Sequence, residues 1–187
     1  MTTYILNVEL LNGVALARGV KEPNDKLNQV YVWDDDAKRN YMATNGHILF
    51  WARDDRAAGS KKIQGKLALF WEGKIKHKKN ELGVSLILND ARGLDTFRTV
   101  AEDKRCEVST IEPPKNWLRC IPPRDSEKLT AYRLFNPQYL SYVREFIEDG
   151  YFKRPQTLSN ENTWAPAVWY YDEKVACIMP MRLERGE

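Results

Sequence analysis

An α+β domain built from two similar strand–helix–strands units is the fold class the sequence predicts, and three observations predict it. Short runs rich in β-branched and aromatic residues are interrupted by two stretches of helical period. Each of those stretches opens on an asparagine able to cap it. A proline-rich segment separates the first stretch and its strands from the second. The chain has 187 residues, 43% of them hydrophobic, enough to bury roughly 70% of its unfolded surface without disulfides or metal. The two halves share a pattern rather than a sequence, and the period is too long for a solenoid.

A strand over Tyr4 to Leu6 leads to Asn7, which caps a helix over 7–18 whose Leu10, Leu11, Val14 and Ala15 follow the i, i+3, i+4 rule, with Gly19 as its stop. Gln29 to Trp33, the polar turn Asp34 to Lys38 and Asn40 to Trp51 read as a hairpin with an aromatic face. Further strands are expected at Leu67 to Trp71, Val84 to Leu88 and Cys106 to Ile111. Pro113, Pro114, Pro122 and Pro123 exclude regular structure from 112–128, which is read as a surface connector between a first half, 1–111, and a second half, 129–187, of one domain. Asn136-Pro137 then starts a helix with Leu140, Val143 and Ile147 as its buried stripe, and strands at Ala167 to Tyr171 and Val175 to Met181 close the chain.

Composition narrows the chemistry. No run approaches the roughly 20 apolar residues of a membrane helix, and the first residues lack a signal-peptide pattern, so a soluble cytoplasmic protein is expected. Cys106, Cys120 and Cys177 are far apart and odd in number, which suggests reduced thiols. Phosphate-cradling, nucleophile-elbow and zincin motifs are absent, with His47 and His77 the only histidines, so neither an enzyme nor a cofactor is expected. The Asp34 to Asp36 run is explained more cheaply as a turn than as a cation site. The net charge of +3 conceals a segment, 61–79, with seven lysines and one glutamate. Lys61, Lys62, Lys66, Lys74, Lys76, Lys78 and Lys79 are therefore candidate phosphate contacts, joined by Arg18, Lys21, Arg144, Lys153 and Arg154 near the helix ends.

Four segments carry a family resemblance. Tyr41 to Leu49 (YMATNGHIL) resembles the A-T-D-G-H-R-L segment of the bacterial β sliding clamp, the processivity subunit of DNA polymerase III. Ile178 to Leu183 (IMPMRL) is similar to the M-P-M-R-L ending of those clamps, Pro114 to Pro122 (PKNWLRCIP) to their F-P-D-Y-R-R-V-L-P connector, and Phe135 to Leu140 to the opening of a clamp helix. The segments occur in the family's order, whereas 50–112 matches poorly. The resemblance implies a DNA-clamp-like fold and a non-catalytic pocket for short peptides of polymerases, the clamp loader and repair proteins. Carried over by position, Thr44, Gly46, His47 and Leu49 form one wall, Pro114, Arg119 and Cys120 a second, and Met179, Pro180, Met181 and Arg182 a third.

Ile48 stands where the family has arginine, Asn45 where it has aspartate, and Glu184 to Glu187 extend the tail. Clamps form rings of six such domains around double-stranded DNA, so this chain implies a homo-oligomer, and a single-domain version suits a compact phage genome. The helices argue against simple transfer, since 7–18 is neutral and 137–149 carries Arg144 against Glu145, Glu148 and Asp149. Two functions stay open: a sliding-clamp-like replication processivity factor, and a non-encircling module that captures or regulates host replication proteins.

Overall fold

The computed structural model describes residues 2–75, 84–88, 96–99, 102–109, 112–115, 117, 121, 129–130, 134–148, 155–157 and 165–181. In chain order the elements are β1 (Thr2–Leu6), α1 (Val8–Ala15), β2 (Val30–Asp35), β3 (Lys38–Thr44), β4 (Ile48–Asp55), β5 (Lys66–Phe70), β6 (Val84–Leu88), β7 (Thr96–Thr99) and β8 (Glu102–Ser109), followed by β9 (Leu129–Thr130), α2 (Pro137–Ile147), β10 (Gln156–Thr157), β11 (Ala167–Tyr171) and β12 (Lys174–Ile178). The fold is α+β, as the sequence predicts. One antiparallel sheet of ten strands runs β7-β8-β5-β2-β3-β4-β12-β11-β10-β9, and β1 pairs with β6 in a separate ribbon.

The duplication is visible in that order. Read outward from the central β4–β12 pair, each side presents the last, middle and first strand of its own trio, β4-β3-β2 on one side and β12-β11-β10 on the other. The junction is continuous, with Ile48 opposite Ile178 and Ala52 opposite Lys174. The symmetry fails at the leading strands, because β9 joins β10 at the sheet edge whereas β1 leaves the sheet for β6.

Both helices cover one face. Strand alternation sends Val30, Val32, Tyr41, Ala43, Ile48, Phe50, Ala176 and Ile178 toward Leu11 and Val14 of α1 and Val143, Phe146 and Ile147 of α2. Phe146 stacks on Phe50 with ring centroids 4.5 Å apart, beneath the β4–β12 junction. The intervening residues Tyr31, Trp33, Met42, Leu49, Val175 and Cys177 build a second apolar layer on the other face, where Trp117 and Ile121 of the connector cover it. Trp117 meets Trp33 at 5.7 Å and Trp51 at 5.8 Å, both edge-on. The connector expected over the surface thus seats a partly buried indole against the outer layer, and Pro113 is buried.

Other expectations need correcting. Asn40 to Trp51 is two strands, because Asn45, Gly46 and His47 form a turn between β3 and β4. The first helix ends at Ala15, since Leu16, Ala17 and Arg18 donate to the carbonyls of Gly13, Val14 and Ala15 in the tighter i→i−3 manner. Gly19 is not a left-handed cap: its N–H donates to Leu27 O at 2.6 Å, and a Cβ there would lie 2.2 Å from Glu22 Cγ. The last strand stops at Ile178, so Met179 to Met181 lie beyond the sheet.

The aspartate run is also more than a turn. Asp36 alone turns, with φ at 44°, while Asp34 and Asp35 belong to β2. Asp34 is buried against Arg39, and Asp35 accepts the Trp33 indole at 3.2 Å and the Asn40 amide at 3.1 Å. No group of three or more His, Cys, Asp or Glu among the described residues could hold a metal ion. No helix among them is long and apolar enough to cross a membrane.

Candidate functional site

The β3–β4 turn is held by its own side chains. Thr44 Oγ1 accepts the Gly46 N–H at 3.0 Å and donates to Ile48 O at 2.8 Å, while Asn45 Oδ1 accepts the N–H groups of His47 and Ile48 at 3.0 Å each. Gly46 sits at φ +90°, a conformation that side-chain-bearing residues adopt only with strain, although a Cβ would meet nothing closer than Leu27 at 3.9 Å.

Two segments from the second half close on this turn. The Met179 N–H donates to His47 O at 2.8 Å and the Met181 N–H to Leu134 O at 2.9 Å, which fixes the stretch after β12 as a bridge between the turn and the approach to α2. Asn136 caps α2 by accepting the Gln138 N–H at 2.9 Å, Pro137 supplies a first-turn residue with no N–H to satisfy, and Tyr139 then receives the Asn45 amide at 3.2 Å on its hydroxyl.

Between these three segments lies a cavity of about 710 Å³, lined by Gly46 and His47, Asn136 and Tyr139, and Met179, Pro180 and Met181. That volume is the size of a small-ligand or peptide-anchor site. Met179 and Met181 bring thioethers to its lining, which adapt to apolar side chains, beside Pro180, and its polar groups are few. Met181 is 49% exposed, and Leu134, joined to it through the backbone, is 57% exposed, so the apolar surface continues beyond the cavity mouth.

The cavity brings together Gly46, His47, Met179, Pro180 and Met181 of the residues the sequence singles out. Thr44 stands behind the turn and shapes it without lining the cavity. Leu49 points the other way, into the outer apolar layer, and Pro114 does not line the cavity either. Arg119, Cys120 and Arg182 lie outside the described residues. Asn136 and Tyr139 were not among the expected wall residues. Their signal was the Asn-Pro helix start, which places the third helical residue on the cap's side of the first turn.

The candidate phosphate contacts are dispersed. Lys61 and Lys62 are exposed. Lys66 pairs with Glu112 at 3.4 Å and Lys74 with Glu145 at 2.8 Å. Arg18 lies over the rings of Trp71, at 4.7 Å, and Phe70, at 5.5 Å, so its guanidinium is committed to packing. Lys21 and Arg144 are exposed, whereas Lys76, Lys78, Lys79, Lys153 and Arg154 lie outside the described residues.

No protein-family model and no curated relative matches the chain. Solved structures do. A DNA polymerase sliding clamp from Pseudomonas aeruginosa superposes with a TM-score of 0.63 at 14% identity, covering 97% of this chain and 67% of that one. The polymerase III β subunits of Caulobacter crescentus and Thermotoga maritima each superpose with a TM-score of 0.65 at 14% identity, over 98% of this chain and 66% of theirs. The chain has the sliding-clamp fold. At such identity the likeness establishes architecture, and the chain accounts for about two thirds of the length of the clamps it matches. Within that architecture, the cavity is built where the central strand pair β4–β12 ends.

Proposed function

We propose that this chain is a sliding-clamp-like processivity factor of DNA replication that docks short peptide motifs of a polymerase or clamp loader. The observation that carries the reading is the cavity between the β3–β4 turn, the start of α2 and Met179 to Met181. Three segments far apart in sequence converge there, each tied to the next by a hydrogen bond. An apolar floor with a few oriented polar groups is the usual form of a peptide-anchor site. Under this reading the protein is a scaffold and not an enzyme, it works in the cytoplasm, and self-association into a ring is what would let it hold duplex DNA.

A second reading, a non-encircling module that captures or regulates replication proteins, is favoured by the charge around α2. Lys74 and Lys174 are matched by Glu145 and Glu148 at 2.8 and 3.1 Å, so that helix presents no excess of cations to a duplex.

Fluorescence anisotropy with a clamp-type linear peptide tests the docking. Met181→Ala is expected to weaken binding about tenfold or more while leaving thermal stability nearly unchanged, because the side chain is half exposed. Leu49→Ala is expected to lower stability by about 2–4 kcal/mol and leave the affinity of the folded protein unaltered. Equal affinity of wild type and Met181→Ala would remove the cavity from consideration. Light scattering across a hundredfold concentration range then separates the two readings: a stable ring with retention on closed circular DNA supports the processivity factor, and a monomer or dimer without retention supports the module.

A further inference from the structure

Three charged side chains form a row across β2, β3 and β4 on the face that carries the helices. Strand register sets Asp34 opposite Arg39, and Arg39 opposite Asp54. One guanidinium therefore has two carboxylate neighbours, and Asp34 takes it in a fork at 2.7 and 2.8 Å. Its remaining hydrogens go to Ile5 O, Ser60 Oγ and Lys61 O, so Asp54 feels the charge of Arg39 but receives none of its hydrogens. What Asp54 receives comes instead from Tyr41 of β3 and from the arm made of β1 and α1. Asn7, between β1 and α1, donates its amide to Asp54 Oδ2 at 3.0 Å, caps α1 by accepting the Leu10 N–H at 3.1 Å, and donates its own N–H to the Tyr41 hydroxyl at 3.0 Å. Tyr41 in turn hydrogen-bonds Asp54. Asp54 Oδ1 is left buried with no hydrogen-bond partner among the described residues. The other charges of the cluster are committed: Asp55 pairs with Lys38 at 3.1 Å, and Arg56 lies 3.9 Å from Asp34.

A carboxylate with one dry oxygen is more costly than the neutral acid, and burial holds the Asp54 carboxyl above the usual range against the hydrogen bonds of Asn7 and Tyr41 and the charge of Arg39. Opening the arm admits water to that oxygen, so ionisation and opening are linked. The topology allows such an opening, because β1 pairs with β6 and shares no ladder with the ten-stranded sheet. We propose that Asp54 makes the β1–α1 arm a proton-sensitive flap: with the carboxyl neutral the arm lies closed on β3 and β4, and with it ionised residues 2–15 lift more often while the sheet stays intact. Val8, Leu11 and Val14 keep the lifted state rare, since each is buried. What lifts is one of the two helices covering the sheet, so the state of Asp54 sets how firmly that face is closed. The device is separate from the cavity and does not rest on the docking reading. Its direction follows from the raised value: opening increases as pH climbs from the open-state value near 3.9 to the higher closed-state value and is level beyond it, with a slope of at most about tenfold per pH unit for one proton.

The test is hydrogen exchange of the full chain, read at single amides from about pH 4 to about pH 7.5, in the regime where rates report opening equilibria and with intrinsic rates divided out. In wild type the α1 amides, Leu11 above all, are expected to lose protection as pH rises and then level off, in step with the Asp54 carboxyl titration followed by carbon NMR. Amides of β4 and β12 should not follow that profile. Asp54→Asn is expected to flatten the α1 profile and to leave α1 protection at pH 7 about three- to tenfold above wild type. If Asp54→Asn fails to fold, Tyr41→Phe carries the comparison: losing the hydroxyl that favours the ionised form should move the change in α1 protection, and the Asp54 titration with it, to higher pH. Protection in α1 that parallels β4 and β12 at every pH would mean that the arm opens only with the whole molecule, and overturns the proposal. So does a folded Asp54→Asn whose α1 amides keep the wild-type pH dependence, or an Asp54 titration that leaves α1 exchange unmoved.

Discussion

At the scale of single residues, the most consequential group is one that sequence pattern treats as ordinary. Arg39 sits in β3 at a position facing the helices, with its side chain only 1% exposed. All five of its guanidinium hydrogens are used: two on Asp34, and the others on Ile5 O, Ser60 Oγ and Lys61 O. Burial pushes the Asp34 carboxyl up, but Arg39, the Ile63 N–H and the charge of Arg56 more than offset it and hold it below the usual carboxylate range. Asp54 goes the other way, because its burial outweighs the hydrogen bonds from Asn7 and Tyr41 and the charge of Arg39. Removing one partner of a buried ion pair costs about 3–5 kcal/mol, so Asp34→Asn is expected to destabilise by that order in urea unfolding at pH 7. Asp34's depressed value means its contribution is complete above its unfolded value near 3.9 and is lost as pH falls through the lower folded value. Asp54's raised value has the opposite sign, a cost at neutral pH that is relieved as pH falls through its folded value. Asp54→Asn should therefore flatten the mildly acidic part of the stability curve and Asp34→Asn the strongly acidic part. Curves that superpose on wild type would contradict both. The run Asp34 to Asp36 did not reveal this, because the groups that complete the Asp34–Arg39 network, Ile5 O, Ser60 Oγ, Lys61 O and the Ile63 N–H, come from β1 and from 60–63, segments far from it in the chain.

Elements were legible where local signals and tertiary packing agree. Val84 to Leu88 and Ala167 to Tyr171 match β6 and β11 at both ends, and the Asn136-Pro137 cap places the start of α2. Asn40 to Trp51 reads as one strand because only Thr44 to His47 separate the apolar runs Tyr41 to Ala43 and Ile48 to Trp51, although Asn45-Gly46 between them is a turn pair. β9 and β10, two residues each, and the four-residue β7 carry too short a pattern to read, and their pairing partners define them. The connector is the element whose role changed most. Prolines exclude it from the sheet, yet Trp117 uses the edges of Trp33 and Trp51 as a seat, and those indoles are anchored by Asp35 and by Asn40, which accepts the Trp51 N–H at 3.1 Å. Trp117→Ala is expected to cost about 2–4 kcal/mol, less than a fully buried tryptophan because the ring is only half covered. A change below about 0.5 kcal/mol in chemical denaturation would mean that the connector merely lies on the surface.

For the whole molecule, the clamp fold raises the question of DNA, and charge placement decides how it is asked. Among the described residues of 61–79, part of the positive charge is paired: Lys74 is tied to Glu145 and Lys66 to Glu112. Lys61 and Lys62 are exposed, on the stretch between β4 and β5 that also covers Arg39. Each lysine that neutralises a phosphate releases condensed counterions and adds roughly 0.9 to the slope of log affinity against log salt. If Lys61 and Lys62 meet the backbone, replacing both with alanine should lower the slope by about 2, weakening binding uniformly across DNA sequences. Lys74→Ala should change it far less, because the Glu145 partner has already neutralised that ammonium, and Glu145→Gln should strengthen binding by freeing it. A slope that falls equally for Lys74→Ala and the Lys61, Lys62 pair would mean the ion pair opens on DNA, and the helix-bearing face would then become the duplex-facing surface. A slope unmoved by any of these variants would mean that the basic segment only keeps the protein soluble, and function would rest on the peptide cavity alone.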